Sequence, residues 1–181
     1  MRTAIAIWVG TLLVLFAAPG RAQTTERYYA EPYAFFGRRS STPGTNVGGA
    51  GIEFFVFKGL GVGGDLVTTV GNPDDKITIG SVGASYHVLC CRYHRKVEPF
   101  IGAGYSFLSG HVNTHGIIYE ASSGQDRRGP CFNQGLIAWP LKHVGVRFEV
   151  REYSMFVSYG ALENVIPGGK FVEFRMAVTL R

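Results

Sequence analysis

The sequence predicts an all-β fold, an eight-stranded antiparallel up-and-down transmembrane β-barrel, and three observations predict it. Apolar and polar residues alternate with period two through most of the chain, while helical periodicity is nearly absent. Eight such segments follow one another, each of roughly 9–11 residues, the length a tilted strand needs to cross a bilayer. The face opposite the large apolar side chains carries Gly, Ser and charges of both signs, a filling suited to a narrow barrel lumen.

The first 22 residues are expected to lie outside this fold. Arg2 gives a positive start, Ala4 to Ala18 is uncharged and apolar, and Gly20-Arg21-Ala22 places small residues at −3 and −1. That is the pattern of a secretory signal peptide cleaved after Ala22. The expected mature domain, 23–181, loses Arg2 and Arg21 from the 18 basic residues, leaving 16 against 13 acids and a net charge of +3. No basic tract interleaved with aromatics accompanies this mild excess, so nucleic acid is not an expected partner.

The first strand opens Glu31-Pro32-Tyr33-Ala34-Phe35-Phe36-Gly37, with Pro32, Ala34 and Phe36 facing one way and Glu31, Tyr33 and Phe35 the other. The second sets Ala50, Ile52, Phe54 and Val56 against Gly49, Gly51, Glu53 and Phe55. In the third, Val62, Leu66 and Val70 share a face and Asp65 lies on the opposite one. The fourth, Thr78 to Val88, shows Val82, Ala84, Tyr86 and Val88 on its apolar face, which makes His87 luminal. The fifth repeats the entry of the first: Glu98-Pro99-Phe100-Ile101-Gly102-Ala103-Gly104 continues to Phe107, with Glu98 inward. Proline is tolerated at a strand's first residue, so Glu31 and Glu98 are expected to start two upward strands as inward carboxylates at the periplasmic rim. The sixth, Cys131 to Trp139, has no assignable facing. In the seventh, Val146, Phe148 and Val150 alternate with Arg147, Glu149 and Arg151. In the eighth, Val172, Phe174, Met176, Val178 and Leu180 alternate with Glu173, Arg175 and their neighbours.

Connection lengths alternate as well. Lys58 to Leu60, Leu89 to Lys96 and Pro140 to His143 are short; Gly37 to Asn46, Gly71 to Lys76, Ser109 to Arg128 and Ser154 to Lys170 tend to be longer and more polar. Short turns at one end and long loops at the other are expected of an outer-membrane barrel. The expected lipid-facing stripe includes Ile52, Phe54, Leu66, Ile101, Val146, Phe148, Phe174 and Val178, with Tyr86, Phe107 and Trp139 as interfacial aromatics. A soluble ligand-binding barrel would need large apolar residues on eight inward faces. Here the inward face carries a charge network instead: Glu31, Glu53, Asp65, Glu98, Arg147, Glu149, Arg151, Glu173 and Arg175.

The segments VEPFIGAGYSF, GGAGIEFFVFKGLGVGGDLV, VGVRFEVREY and FVEFRMAVTLR resemble the small outer-membrane β-barrel superfamily, the OmpA/OmpX-type barrels of the porin family. The resemblance spans nearly all of the expected mature chain. It implies periplasmic termini, location in the outer membrane of a Gram-negative cell envelope, and contact with lipids, lipopolysaccharide and the outer-membrane assembly machinery. It also implies a monomer. The chain departs from the pattern by ending Leu180-Arg181 where such barrels commonly end on an aromatic, and no peptidoglycan-binding domain is expected after the barrel.

The residues point to no catalytic centre, cofactor or metal. Lipid A deacylases resemble this architecture and carry a His-x-Ser pair; the nearest string here, Glu152-Tyr153-Ser154, lacks the histidine that would activate the serine. Cys90-Cys91-x-x-His94 is too tightly spaced for a four-ligand structural site, and with Cys131 the three cysteines form no disulfide framework. The expected role is therefore structural or surface-interactive, with the lumen plugged by charged side chains. The alternatives are a deacylase-like barrel enzyme and a soluble periplasmic ligand-binding barrel. Loop-borne binding candidates are His111, Tyr119, Arg127, Arg128 and Tyr159.

Overall fold

A computed structural model describes residues 30–40, 45–57, 59–71, 75–88, 97–114, 117–121, 127–157 and 170–181. The expected signal peptide, the Cys90-Cys91-x-x-His94 string and Tyr159 lie outside the described residues. The strands are β1 (Ala30–Arg39), β2 (Thr45–Phe57), β3 (Leu60–Thr69), β4 (Asp75–His87), β5 (Val97–Thr114), β6 (Ile117–Ala121), β7 (Arg127–Ala138), β8 (Val144–Ser154), β9 (Phe156–Val157) and β10 (Lys170–Leu180).

Eight of these close a ring in the order β1-β2-β3-β4-β5-β7-β8-β10, every neighbouring pair antiparallel. The seam is the pairing of β1 with β10, from Tyr33↔Thr179 to Arg39↔Glu173. Closure leaves no open edge among the eight, which satisfies the backbone polar groups without water. The chain reverses tightly at Gly59, whose φ of 87° suits glycine. At the same end, Arg181 N–H donates to the carbonyl of His143 at 3.1 Å, tying the last residue to the β7–β8 turn.

The strands run further at the loop end than the sequence pattern predicts. β1 continues to Arg39, and β5 continues to Thr114 before returning as β6 in the register Gly110↔Ala121, His111↔Glu120. Much of Ser109 to Arg128, expected as a loop, is thus a hairpin that extends the wall. Arg128 and Arg127 pair with Phe156 and Val157 of β9, in the same register as the β7–β8 ladder. The unassigned sixth strand of the sequence reading, now β7, turns Cys131, Asn133, Ile137 and Trp139 inward and Phe132 and Leu136 outward.

Outward positions carry the exposed large apolar residues. Phe54, Leu66, Val82, Phe107, Phe132, Phe148, Phe174, Met176 and Val178 all sit on the outside of the ring. All eight residues of the expected lipid-facing stripe lie on that face. Trp139 does not join Tyr86 and Phe107 in the aromatic belt: it is 5 % exposed and points into the lumen. The register places it on the inward parity of β7, and its indole N–H donates to Glu98 Oε2 at 3.2 Å. Phe107 and Tyr86 are half-exposed, as the belt requires.

Candidate functional site: a charged and plugged lumen

All nine residues expected to form the luminal network are inward and buried. Alternation accounts for this locally: Arg147, Glu149 and Arg151 sit two apart on β8, and Glu173 and Arg175 two apart on β10. The β8–β10 register then sets Glu173 beside Arg151 and Arg175 beside Glu149, so opposite charges meet across the ladder.

The ion pairs run unbroken along the barrel. From the loop end, Arg39 pairs with Glu173 at 2.7 Å, and Glu173 with Arg175 at 2.7 Å. Arg175 reaches Asp65 at 3.4 Å, and Asp65 pairs with Arg151 at 2.6 Å. Arg151 holds Glu149 at 2.7 Å, Glu149 holds Arg147 at 2.9 Å, and Arg147 reaches Glu53 at 2.9 Å. Glu53 accepts from Ser85 and approaches His87 Nε2 at 3.1 Å, while His87 Nδ1 lies 2.8 Å from Glu98. Both ring nitrogens therefore face carboxylate oxygens, an arrangement that the two N–H groups of an imidazolium satisfy. Arg181 closes the turn end, 3.7 Å from Glu98 and 4.0 Å over the Trp139 ring.

Aromatic rings pack between the charges. Arg147 lies 4.0 Å over Phe100 and 4.7 Å over Tyr33, and Arg175 lies 4.3 Å over Phe35. Tyr153 receives a hydrogen bond from Arg175. Room for these groups comes from the backbone opposite. A Cβ at Gly51 would stand 2.5 Å from the Tyr33 ring and 2.7 Å from Asp65 Cβ.

The two sides of the lumen differ. One row of register partners reads Glu53, Gly63, Gly83, Gly104, Cys131 from β2 to β7, so the β3–β5 wall there presents no inward side chain. The long arginines of β8 and β10 reach across toward that wall, leaving a cavity of about 40 Å³ lined in part by Ser81, Ser85, Asp65, Asn133 and Arg151. That is room for a few waters and far below the roughly 300 Å³ of a small-molecule pocket. The described residues form no ligand-binding calyx.

Two features were outside the sequence reading. The loop end of the lumen is apolar: Phe35, Val47, Val67, Ile77, Ile79, Leu108, Met155 and Phe171 form one buried cluster. Arg39, four residues beyond Phe35 toward the loops, packs 5.0 Å over the Phe171 ring of this cluster and is a full member of the ladder. Its parity with Glu31, Tyr33 and Phe35 was the available signal, hidden by ending the first strand at Gly37. Glu31 departs from the network in the other direction. It stands opposite Glu53 in the β1–β2 register, is fully buried, and neither carboxylate oxygen has a hydrogen-bond partner. Among the described residues, six buried carboxylates thus face four buried guanidiniums. His87 and Arg181 lie beside Glu98 at the turn end of the ladder.

Of the loop-borne binding candidates, Arg128 is exposed at the head of β7. His111 and Tyr119 lie on β5 and β6, in neighbouring pairs of one ladder, and Arg127 on β7. The side chains of these three lie outside the described residues.

An apolar exterior around a charge-filled interior is the inverse of a soluble protein, and hydrocarbon is the solvent that such a surface fits. The molecule is a transmembrane β-barrel with a side-chain-filled lumen. No protein-family model matches the sequence, and no curated protein matches it significantly. Solved structures of small outer-membrane barrels do share the fold. Neisserial surface protein A aligns with a TM-score of 0.57 at 18 % identity, over 84 % of this chain and 96 % of that one. The N-terminal β-barrel domain of Pseudomonas aeruginosa OprF aligns at 0.62 with 11 % identity, over 83 % and 95 %. Ail, the attachment invasion locus protein of Yersinia pestis, aligns at 0.53 with 12 % identity, over 83 % and 95 %.

Proposed function

We propose that this chain is a non-enzymatic, integral outer-membrane barrel with a structural or surface-interactive role in the cell envelope. Its lumen acts as a static plug. The observation that carries this reading is the unbroken ladder of ion pairs, packed toward its loop end against a buried cluster of apolar side chains. Breaking one pair in such a ladder leaves a buried charge uncompensated, a cost of several kcal/mol that opposes spontaneous opening.

The non-enzymatic part rests on how the candidate groups are engaged. Both nitrogens of His87 are taken by carboxylates, so this buried histidine has no free nitrogen with which to activate a hydroxyl. Export through a cleaved signal peptide, insertion by the outer-membrane assembly machinery, a monomeric state and contact with lipopolysaccharide belong to the same reading.

Membrane fractionation, followed by electrophoresis of heated and unheated samples in detergent, tests location and closure together. Recovery in the outer membrane with a heat-dependent mobility shift is the expected result; a protein found soluble in the periplasm would overturn it. Planar bilayers test the plug. Refolded protein should carry no steady current, and discrete channel openings at modest voltage would refute a static lumen.

A further inference from the structure

His87 brings the ladder a cation of the kind whose charge can be removed near neutral pH, and its surroundings fix the ring in place. Phe100 stacks on it at 5.2 Å with the planes 17° apart, and Phe55 meets it edge-on at 4.7 Å. The His87 backbone N–H donates to the Gly59 carbonyl at 2.7 Å, which anchors it to the β2–β3 turn. Nδ1 is 2.8 Å from Glu98 Oε1, and Nε2 is 3.1 Å from Glu53 Oε1. A charged ring donates to both oxygens; a neutral one keeps a single N–H and turns a lone pair on the other carboxylate. Held by both aromatic rings, the imidazole is not free to turn away, so it is the carboxylate that must move.

The neighbouring charges make that loss matter. Glu53 comes from β2 and Glu98 from β5, and among the described residues no cation but His87 touches both. Arg147 of β8 reaches Glu53 but is shared with Glu149, and Arg181, beyond β10, stands 3.7 Å from Glu98. From β1, Glu31 lies opposite Glu53, fully buried and without a hydrogen-bond partner, so it adds an acid and no cation. β3 meets Glu53 with Gly61, and β7 is followed by Trp139; neither carries charge. An uncharged His87 leaves three buried carboxyl groups facing one shared and one part-exposed guanidinium.

We propose that His87 is a proton-operated latch on the turn end of the plug: its imidazolium fastens β2 to β5 through β4, and loss of one ring proton to solvent unfastens them. The latch rests on the plug reading above and adds that the ladder is closed at this end only while the ring is charged. β2 and β5 are not neighbours in the barrel, so no backbone ladder replaces the tie once it is lost. Trp139 stands where water entering at the turns arrives: its indole donates to Glu98 Oε2, and the Arg181 guanidinium lies 4.0 Å over its ring.

The test uses full-length protein carrying Trp8→Phe, which leaves Trp139 as the single tryptophan, refolded into lipid vesicles. Quenching of its fluorescence by acrylamide, a neutral probe, is followed from about pH 6 to about pH 9, where a histidine can change charge and ordinary carboxylates, lysines and tyrosines do not. The heat-dependent mobility shift confirms a closed barrel at both ends of the range. The quenching constant should rise roughly threefold as the ring loses its proton. His87→Gln, which cannot titrate, should quench at one level throughout, and Glu31→Gln should keep the rise. A constant unchanged with pH in the parent protein, a rise that persists in His87→Gln, or one abolished by Glu31→Gln would overturn the latch. Should His87→Gln not fold, Glu53→Gln decides: with one carboxylate fewer on the ring its rise should come at lower pH, and a rise at the parent's pH would overturn the latch. Planar bilayers at neutral pH separate the two readings. Channel openings there count against the static plug, whereas silent bilayers with flat quenching count against the latch alone.

Discussion

Two parts of the lumen are filled by different physics. At the loop end, Val47, Val67 and Ile79 are at most 1 % exposed and pack with Phe35, Leu108 and Phe171 as a small hydrophobic core. Toward the turn end, Glu53, His87, Glu98 and Arg147 are equally inaccessible but held by directed, charge-assisted bonds. An apolar layer tolerates shape changes and loses energy in proportion to the volume removed. A charge ladder does not: each member is stabilised only while its partner is present, so single deletions are expensive and coupled. The same barrel therefore contains a compliant seal and a brittle one.

The largest effect is expected in the brittle part. Arg151 holds Asp65 at 2.6 Å and Glu149 at 2.7 Å, closer than Arg175, which reaches the same two at 3.4 and 3.6 Å. Arg151→Met should lower unfolding free energy by about 3–5 kcal/mol, because two carboxylates lose a partner inside hydrocarbon. Urea unfolding in lipid vesicles measures this, and a change below 1 kcal/mol would mean the ladder is hydrated. In the compliant part, Ile79→Ala should cost about 2–4 kcal/mol by the same assay. It should also leave bilayers silent, since the ladder remains closed.

Outside the lumen, Phe174 is 58 % exposed on the lipid face of β10. Phe174→Arg should cost roughly 2–4 kcal/mol in a bilayer, depending on depth. A variant as stable as wild type would show that the faces are assigned backwards. The smallest effect carries the opposite sign. Glu31 is the carboxylate the ladder leaves out, so Glu31→Gln should raise stability by about 1 kcal/mol through removal of an unpartnered buried acid. Destabilisation would reveal a partner for Glu31 and place it within the ladder after all.

Much of this was legible in one dimension. Alternation assigned the inward face of β1, β2, β3, β5, β8 and β10, and with it all nine luminal charges, because a strand's side-chain period is two whatever its neighbours do. The placement of Trp139 failed for a related reason. In Cys131 to Trp139, polar Asn133 and apolar Ile137 share the inward face, so hydrophobicity does not report direction; only the ladder to β5 and β8 does. The apolar seal was missed because its residues come from β1, β2, β3, β4, β5 and β10, one or two apiece. No single strand shows a pattern that predicts it.

The sequence by itself determined the eight strands of the ring, the facing of all but the sixth and the kind of solvent each face requires, since these follow from local periodicity and side-chain chemistry. Tertiary structure alone decided which charges pair, that Arg39, His87 and Arg181 extend the ladder from end to end, and that Glu31 stays outside it. The reason is geometric. Pairing inside a closed barrel depends on the register between strands and on the stagger at which the first meets the last. Chain closure sets both, and they leave no mark on the periodicity of any one segment.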